Sequence, residues 1–269
     1  MPSLKPCRPW CRALAVVACS AFLAKAAFAG QSCEDKPLGV AEARKSFGLA
    51  LKVREALDQS GAQVALLGRV GQDISKYGLH YSHVGFVWRD HPEGRWLSVH
   101  LLNECGTAVS NLYSQGLANF FADDMVAWDA LLLIPSPEVQ QRLAAHLNGE
   151  EVLRLHQARY NMVAYPFSSQ YQNSNQWALE ILAESLAGKS FAGREEAQRW
   201  LKEAGYRPST LKLPMLTRLG GRMFKANVAF DDHPTDRRMA GQIDTVTVDS
   251  IADFLSRVDS AGQRKVISF

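Results

Sequence analysis

The residue types best suited to chemistry are a histidine in a predicted strand and a serine at a predicted helix start. His83 lies near the beginning of YSHVGFVW at residues 81–88, an alternating pattern that is typical of a strand. Ser174 directly follows Asn173, and the spacing of Asn173 and Gln176 indicates a capping box. A base that faces a nucleophile at a helix N-terminus is an arrangement used in acyl transfer.

A second histidine belongs to the same predicted hairpin. Residues 95–101 predict a strand that follows 82–88, and the turn over 90–94 contains proline and glycine. His100 would then lie close to His83 across the ladder, so that one imidazole acts as base and the other orients it. The alternative is that either histidine, His100 above all, is a buried structural residue.

Ser174 is the candidate nucleophile because of its place in the predicted helix. As the first helical residue it would lie at the positive end of the helix dipole, which favours a developing alkoxide. Candidates for binding the substrate or an oxyanion are Asn173, Asn175, Gln176 and Ser82. The alternative is that Ser174 only caps the helix and that the neighbouring amides are ordinary polar residues.

The first 29 residues predict a cleaved secretory signal. Lys5, Arg8 and Arg12 precede the apolar run 13–23, and the small residues at 27 and 29 suit a signal peptidase. The apolar run is too short to span a membrane, and no later segment is long and apolar enough to do so. We therefore predict a periplasmic protein with no transmembrane segment after cleavage. Lipoprotein processing at Cys19 is the less favoured alternative.

Removal of this signal changes the charge and the cysteine count. Of the 30 basic residues 26 remain against 27 acidic residues, a formal net charge of −1, and no basic stripe indicates a nucleic-acid partner. Cys33 and Cys105 are the remaining cysteines, and in an exported chain they are predicted to form a disulfide. Cys105 is the alternative nucleophile, and a disulfide would remove it.

The remaining chain predicts a single α+β domain over residues 30–269. Periodicity predicts strands at 63–67, 82–88, 95–101, 130–134 and 245–248, and helices at 40–59, 110–121, 137–147, 174–186, 195–204 and 251–258. The segment from about 206 to 244 is rich in proline, glycine and charge, and it predicts an irregular extension. No metal-ligand spacing or phosphate-binding glycine loop is present, so we expect neither a metal nor a cofactor.

The motifs resemble those of a bacterial family known as domain of unknown function 2145. The resemblance rests on GQD at 71–73, YSHVGF at 81–86, NECGT at 103–107 and YQNSNQW at 171–177, and it covers nearly all of the chain after the signal. The family name implies no activity.

A more distant resemblance connects the same motifs to circularly permuted NlpC-like papain-fold hydrolases and the lecithin:retinol acyltransferase group. There a strand with His-Val-Gly comes first, a polar residue follows on the next strand, and a cysteine nucleophile at a helix start comes last. SHVG at 82–85, His100 and NSNQW at 173–177 are similar in type and order. This resemblance implies a permuted papain-like core, with an antiparallel sheet packed against helices.

The nucleophile position departs from that pattern, because Ser174 stands where the superfamily has cysteine. A hydroxyl has a far higher pKa than a thiol, so a site built for a thiolate would be weakened. The first hypothesis is an exported hydrolase or acyltransferase that acts on an amide or ester of a cell-envelope peptide, lipid or small molecule. The alternatives are a catalytically inactive binding module with the same cleft and an envelope scaffold protein.

Overall fold

The computed structural model describes residues 37–123 and 125–269. The predicted signal peptide, the lipoprotein site at Cys19 and Cys33 lie outside these residues. The helices are α1 (Val40–Ser60), α2 (Leu117–Phe120), α3 (Pro137–Leu147), α4 (Glu151–Arg154), α5 (Ser174–Ala187), α6 (Arg194–Glu203), α7 (Met215–Phe224), α8 (Thr235–Met239) and α9 (Val248–Val258). The strands are β1 (Val64–Val70), β2 (His83–Trp88), β3 (Leu97–Asn103), β4 (Ser110–Gly116), β5 (Ala127–Ile134), β6 (Ser209–Lys212), β7 (Gln242–Thr245) and β8 (Gln263–Ser268).

The centre of the fold is an antiparallel sheet with the strand order β4-β3-β2-β1-β5-β8. One face packs against α3, α5 and α9, and its core includes Phe86 of β2 and Trp177 of α5. The other face packs against α1 and α2, and its core includes Val87 of β2 and Phe120 of α2. The prediction of an α+β protein with an antiparallel sheet packed against helices is therefore confirmed.

Helix α5 is enclosed almost all round, because twelve of its fourteen residues are buried. Asn173 caps it by accepting a hydrogen bond from the Gln176 N–H at 2.7 Å, and Gly188 ends it with a left-handed backbone. The buried carboxylate of Glu180 receives two hydrogen bonds from Arg194 of α6, at 2.8 and 3.1 Å. This ion pair fixes α6 against α5.

Three predicted segments differ in the structure. The predicted helix at 110–121 is instead the edge strand β4 followed by the single turn α2, because Ser110–Gly116 pairs with β3 along its whole length. The predicted irregular extension contains β6, α7, α8 and β7, with a small core that includes Leu211, Phe230 and Ile243. The predicted strand 245–248 is also displaced, since β7 ends at Thr245 and Val248 already belongs to α9.

Candidate functional site

The structure brings His83 and His100 together in the centre of the sheet. Phe86 of β2 pairs with Val99 of β3, and the continuation of this register places His100 opposite Gly85, diagonal to His83. The His83 Nε2 lies 2.8 Å from the His100 Nδ1, so one ring nitrogen donates a hydrogen bond to the other. Gly85 leaves the necessary space, because a Cβ there would lie 2.9 Å from the His100 Cβ.

The surroundings of this pair favour neutral imidazoles. Burial lowers the pKa of His83 well below its usual value, and the positive charges of Arg69 and of a protonated His100 lower it further. Burial, followed by the charge of Arg69, lowers the pKa of His100 to about 3. Arg69 pairs with His83 across β1 and β2, and it donates hydrogen bonds to the Phe120 carbonyl and the Asp123 carboxylate. Both histidines are therefore uncharged at neutral pH.

Ser174 has a different neighbour, the phenol of Tyr160. It is the first residue of α5 and is 8% exposed. Burial raises the pKa of Tyr160, while hydrogen bonds from the Ser174 hydroxyl and the Ser174 backbone N–H act in the opposite direction. The Tyr160 phenol is therefore a polar neighbour of Ser174 at the start of α5. Sequence reasoning missed Tyr160, because no spacing in the sequence links residue 160 to the start of α5.

His83 and Ser174 approach the sheet from opposite faces. Successive side chains of a strand alternate between faces, so His83 and Phe86 point in opposite directions. The Phe86 ring contacts Trp177 of α5 with centroids 5.8 Å apart, whereas the His83 ring contacts Phe120 of α2 at 5.8 Å. In the part of the chain that the structure describes, no hydrogen bond joins Ser174 to His83.

The side-chain amides of Asn173, Asn175 and Gln176, the candidate oxyanion ligands, form hydrogen bonds with other parts of the chain. The Asn175 Oδ1 accepts from the Val84 N–H at 3.0 Å, and its Nδ2 donates to the Ser82 carbonyl at 3.3 Å, which fastens α5 to the start of β2. The Asn173 Nδ2 donates to the Thr245 hydroxyl at 2.9 Å. The Gln176 Nε2 donates to the Pro166 carbonyl and to Glu180, both at 3.3 Å.

Two further candidate residues lie outside the start of α5. The Ser82 hydroxyl accepts hydrogen bonds from the backbone N–H groups of Gly71 and Gln72, at 2.9 and 3.1 Å, and so it closes the turn after β1. Cys105, the alternative nucleophile, lies in the turn between β3 and β4. Because Cys33 is outside the described residues, the disulfide between the two stays a prediction.

An open groove of about 730 Å³ lies between α6, the loop 165–169 and the start of α8. Its lining combines aromatic rings, both signs of charge and hydroxyl groups, and includes Tyr165, Phe167, Ser168, Glu195, Arg199, Lys202 and Asp232. Arg199 and Lys202 are exposed on α6, and within the described residues neither forms a salt bridge. This groove can accept a ligand that carries anionic groups and a flat or apolar part.

Over 37–123 and 125–269, no group of three or more His, Cys, Asp or Glu side chains could hold a metal ion. None of the helices in these ranges is long and apolar enough to cross a membrane.

Comparison with known proteins gives a family match. The family described as "Uncharacterized protein conserved in bacteria (DUF2145)" matches residues 56–255, which is well over half of the chain. No curated protein and no solved structure matches the chain. The matched range contains His83, His100, Tyr160 and Ser174, and also the groove between α6 and α8.

Proposed function

We propose that this chain, which belongs to the bacterial DUF2145 family, is an exported binding module with a catalytically silent papain-like core. The single observation that carries the proposal is that, within the described residues, the His83 ring is hydrogen-bonded to His100 and not to Ser174. The Ser174 hydroxyl lies beside Tyr160, while His83 is hydrogen-bonded to His100 on the opposite face of the sheet. Nucleophilic serine chemistry needs a base within hydrogen-bond reach of the hydroxyl, about 3 Å.

The lowered pKa values of His83 and His100 also support a catalytically inactive site. A general base works best when its pKa is near the operating pH. Burial and Arg69 lower the pKa of both histidines far below that range. A nucleophilic serine has a high pKa of its own and depends on a competent base, so this pair would activate it poorly.

Support for the papain-like core and for export comes from the sequence order and from the sheet. The His-Val-Gly strand, the second histidine strand and the helix that begins at Ser174 follow one another as in the permuted papain-like proteins. In the structure, α5 packs directly on β2 and β3. The N-terminal pattern of basic, apolar and small residues supports export to the periplasm.

We place the ligand in the groove between α6 and the loop 165–169. Arg199 and Lys202 can bind carboxylates, while the exposed Glu195 can attract an amine. The rings of Tyr165 and Phe167 offer an apolar wall. A short peptide with free amine and carboxylate groups, such as a cell-wall stem peptide, combines these features.

The direct test is a calorimetric titration of the protein with a soluble cell-wall stem peptide. We expect saturable binding that the double substitution Arg199→Gln with Lys202→Gln weakens at least tenfold, because two charge-assisted contacts are lost. The matched control is Arg207→Gln, an exposed cation that does not line the groove. Absence of binding to the wild type, or equal affinity in both variants, would overturn the assignment of the groove.

One observation favours hydrolysis or acyl transfer as the second candidate function. Ser174 is the first residue of an N-capped helix, where the dipole stabilises a developing alkoxide, and its hydroxyl is in contact with a second ionisable oxygen on Tyr160. An enzyme of this kind would use Ser174 without the base that we expected at His83.

A further inference from the structure

Helix α7 carries an apolar surface that no other part of the described chain covers. None of its ten residues is buried. Its five large apolar side chains are exposed by 55 to 77%, and they are Met215, Leu216, Leu219, Met223 and Phe224. A surface helix of a globular domain normally turns such residues towards the core. The exposure of all five indicates that α7 has an occupant outside this domain.

The apolar residues of α7 share one side of the helix. Met215, Leu219 and Met223 follow one another at intervals of four, with Leu216 beside them, so they form a stripe. The helix approaches the domain through Gly221, where an added Cβ would lie 3.3 Å from a Val228 methyl carbon. The small residue thus faces inwards and the large apolar residues face outwards.

The chain segment that contains α7 carries charge of a single sign, although Asp231, just after it, lies near Arg222. From residue 204 to residue 230 the chain contains five basic residues and no acidic residue. Four of the basic residues flank or belong to the helix: Lys212, Arg218, Arg222 and Lys225. Within the described part of the chain none of these four forms a salt bridge, and Arg218 donates a hydrogen bond to the Leu213 carbonyl. These cations are available to an anionic partner.

An apolar groove of about 670 Å³ runs beside the same helix. Met215, Leu219, Phe230 and Met239 contribute to its wall, and Met239 is 72% exposed. Lys212, Arg218 and Arg238 also line it. Apolar contact and positive charge therefore occur at the same place, which is the combination that a lipid with an acyl chain and an anionic headgroup presents.

We propose that α7 is an interfacial helix that docks the domain on an anionic lipid surface. The stripe of Met215, Leu219 and Met223 would enter the boundary between headgroups and acyl chains, and Arg218 and Arg222 would contact lipid phosphates. A short amphipathic helix that is rich in Arg and exposes large apolar residues is suited to this interface. The all-basic flank fits an anionic bilayer better than a protein surface of mixed charge. The proposal is independent of the ligand groove between α6 and α8.

The test is flotation of residues 30–269 with lipid vesicles, since the predicted signal would itself bind lipid. We expect the protein to float with vesicles in which about a third of the lipid is phosphatidylglycerol, and to stay behind with phosphatidylcholine alone. Binding should weaken as salt is raised, because screening shortens the range of the attraction to about 3 Å at 1 M. Arg218→Gln with Arg222→Gln should lower the affinity roughly 25-fold, about fivefold for each cation.

A second pair of variants tests the apolar contact. Leu219→Glu should abolish flotation, whereas the matched control Leu51→Glu on α1 should not, although both leucines are 55% exposed. Both variants can be checked for folding by circular dichroism, and the two arginine substitutions keep the test valid if Leu219→Glu is unfolded. Equal binding to both vesicle types, no binding to either, or full binding by the arginine variant would overturn the proposal and direct the search towards a protein partner.

Discussion

His83 and His100 can approach each other because Gly85, which lies opposite His100, has no side chain. Sequence alternation and the turn at 90–94 were sufficient to predict that the two histidines lie close together. Their environment was not predictable, because Arg69 and Phe120 come from other parts of the chain. These residues complete a buried group in which neutral imidazoles are favoured.

Substitution of Gly85 tests the packing of this group. In Gly85→Ala the new methyl group would lie 2.8 Å from the Ser98 Oγ and 2.9 Å from the His100 Cβ, in the centre of the sheet. We expect a loss of about 1–3 kcal/mol in the free energy of unfolding, measured with urea, because the strands cannot separate without losing their pairing. Gly116→Ala has open space and should change stability by less than about 0.5 kcal/mol. Equal effects would contradict the packing described.

The lowered pKa values predict a dependence of stability on pH. In the unfolded chain histidine has a pKa of about 6.5, so below that pH the unfolded state binds more protons than the folded state. Stability is therefore lost as the pH falls from about 6.5 towards the folded-state values, which for His100 is about 3. Between about pH 7 and pH 5 each histidine should cost about 2 kcal/mol in the free energy of unfolding.

The comparison that isolates this effect is the double variant His83→Gln with His100→Gln, unfolded with urea at the same pH values. The variant keeps every carboxylate, so the acid titration that it shares with the wild type cancels. We expect a flatter pH profile in the variant over this range. Parallel profiles in the two proteins would mean that the histidines are not held neutral by the fold.

At the scale of helices and strands, the sequence predicted what local periodicity and end signals determine. α1, α3, α5 and α6 were predicted to within a few residues because each has an apolar stripe and a recognisable start or end. β4 was misassigned, since Leu112, Leu117, Phe120 and Phe121 have helical spacing and only the pairing with β3 selects a strand. The edge strand β8 was missed because it consists mostly of exposed polar residues.

The orientation of α5 could not be predicted from sequence either, because it depends on contacts between residues that are far apart in the chain. The cap at Asn173 fixes where the helix starts, but the face of the sheet on which it lies depends on Trp177 and Phe86 meeting in the core. The predicted contact between Ser174 and His83 required the His83 side chain to point to the face of the sheet on which α5 packs. The strand alternation that makes His83 and His100 neighbours also turns His83 away from α5.

The contact between α5 and α6 depends on a buried charge pair. Glu180 is completely buried and Arg194 is nearly so, with the Arg194 Nε and the Glu180 Oε2 2.8 Å apart. Arg194→Met should therefore lower the free energy of unfolding by about 3–5 kcal/mol, because it leaves a carboxylate buried without its cation. Lys189→Met removes an exposed bond to Glu196 and should cost less than about 1 kcal/mol. Urea denaturation of the two variants provides the measurement, and similar costs would contradict the assigned role.

At the scale of the whole molecule, the central sheet and the C-terminal part have different roles in this account. The sheet and α5 hold the residues that resemble an acyl-transfer site. The region that contains β6, α7, α8 and β7, which the sequence suggested was irregular, provides the exposed helix α7 and contributes to the ligand groove. The proposed contacts with ligand and lipid therefore lie outside the motifs that carry the family resemblance.

The measurement that tests the central claim most directly is labelling of the purified protein with a fluorescent fluorophosphonate, which reacts with activated serines. An active serine hydrolase in the same reaction serves as positive control, and Ser174→Ala and His83→Ala are treated in parallel. We predict no labelling of the wild-type protein, because the Ser174 hydroxyl lies beside Tyr160 and apart from His83. Labelling of the wild type that Ser174→Ala abolishes would contradict the account, and a loss in His83→Ala as well would identify the base of an enzyme.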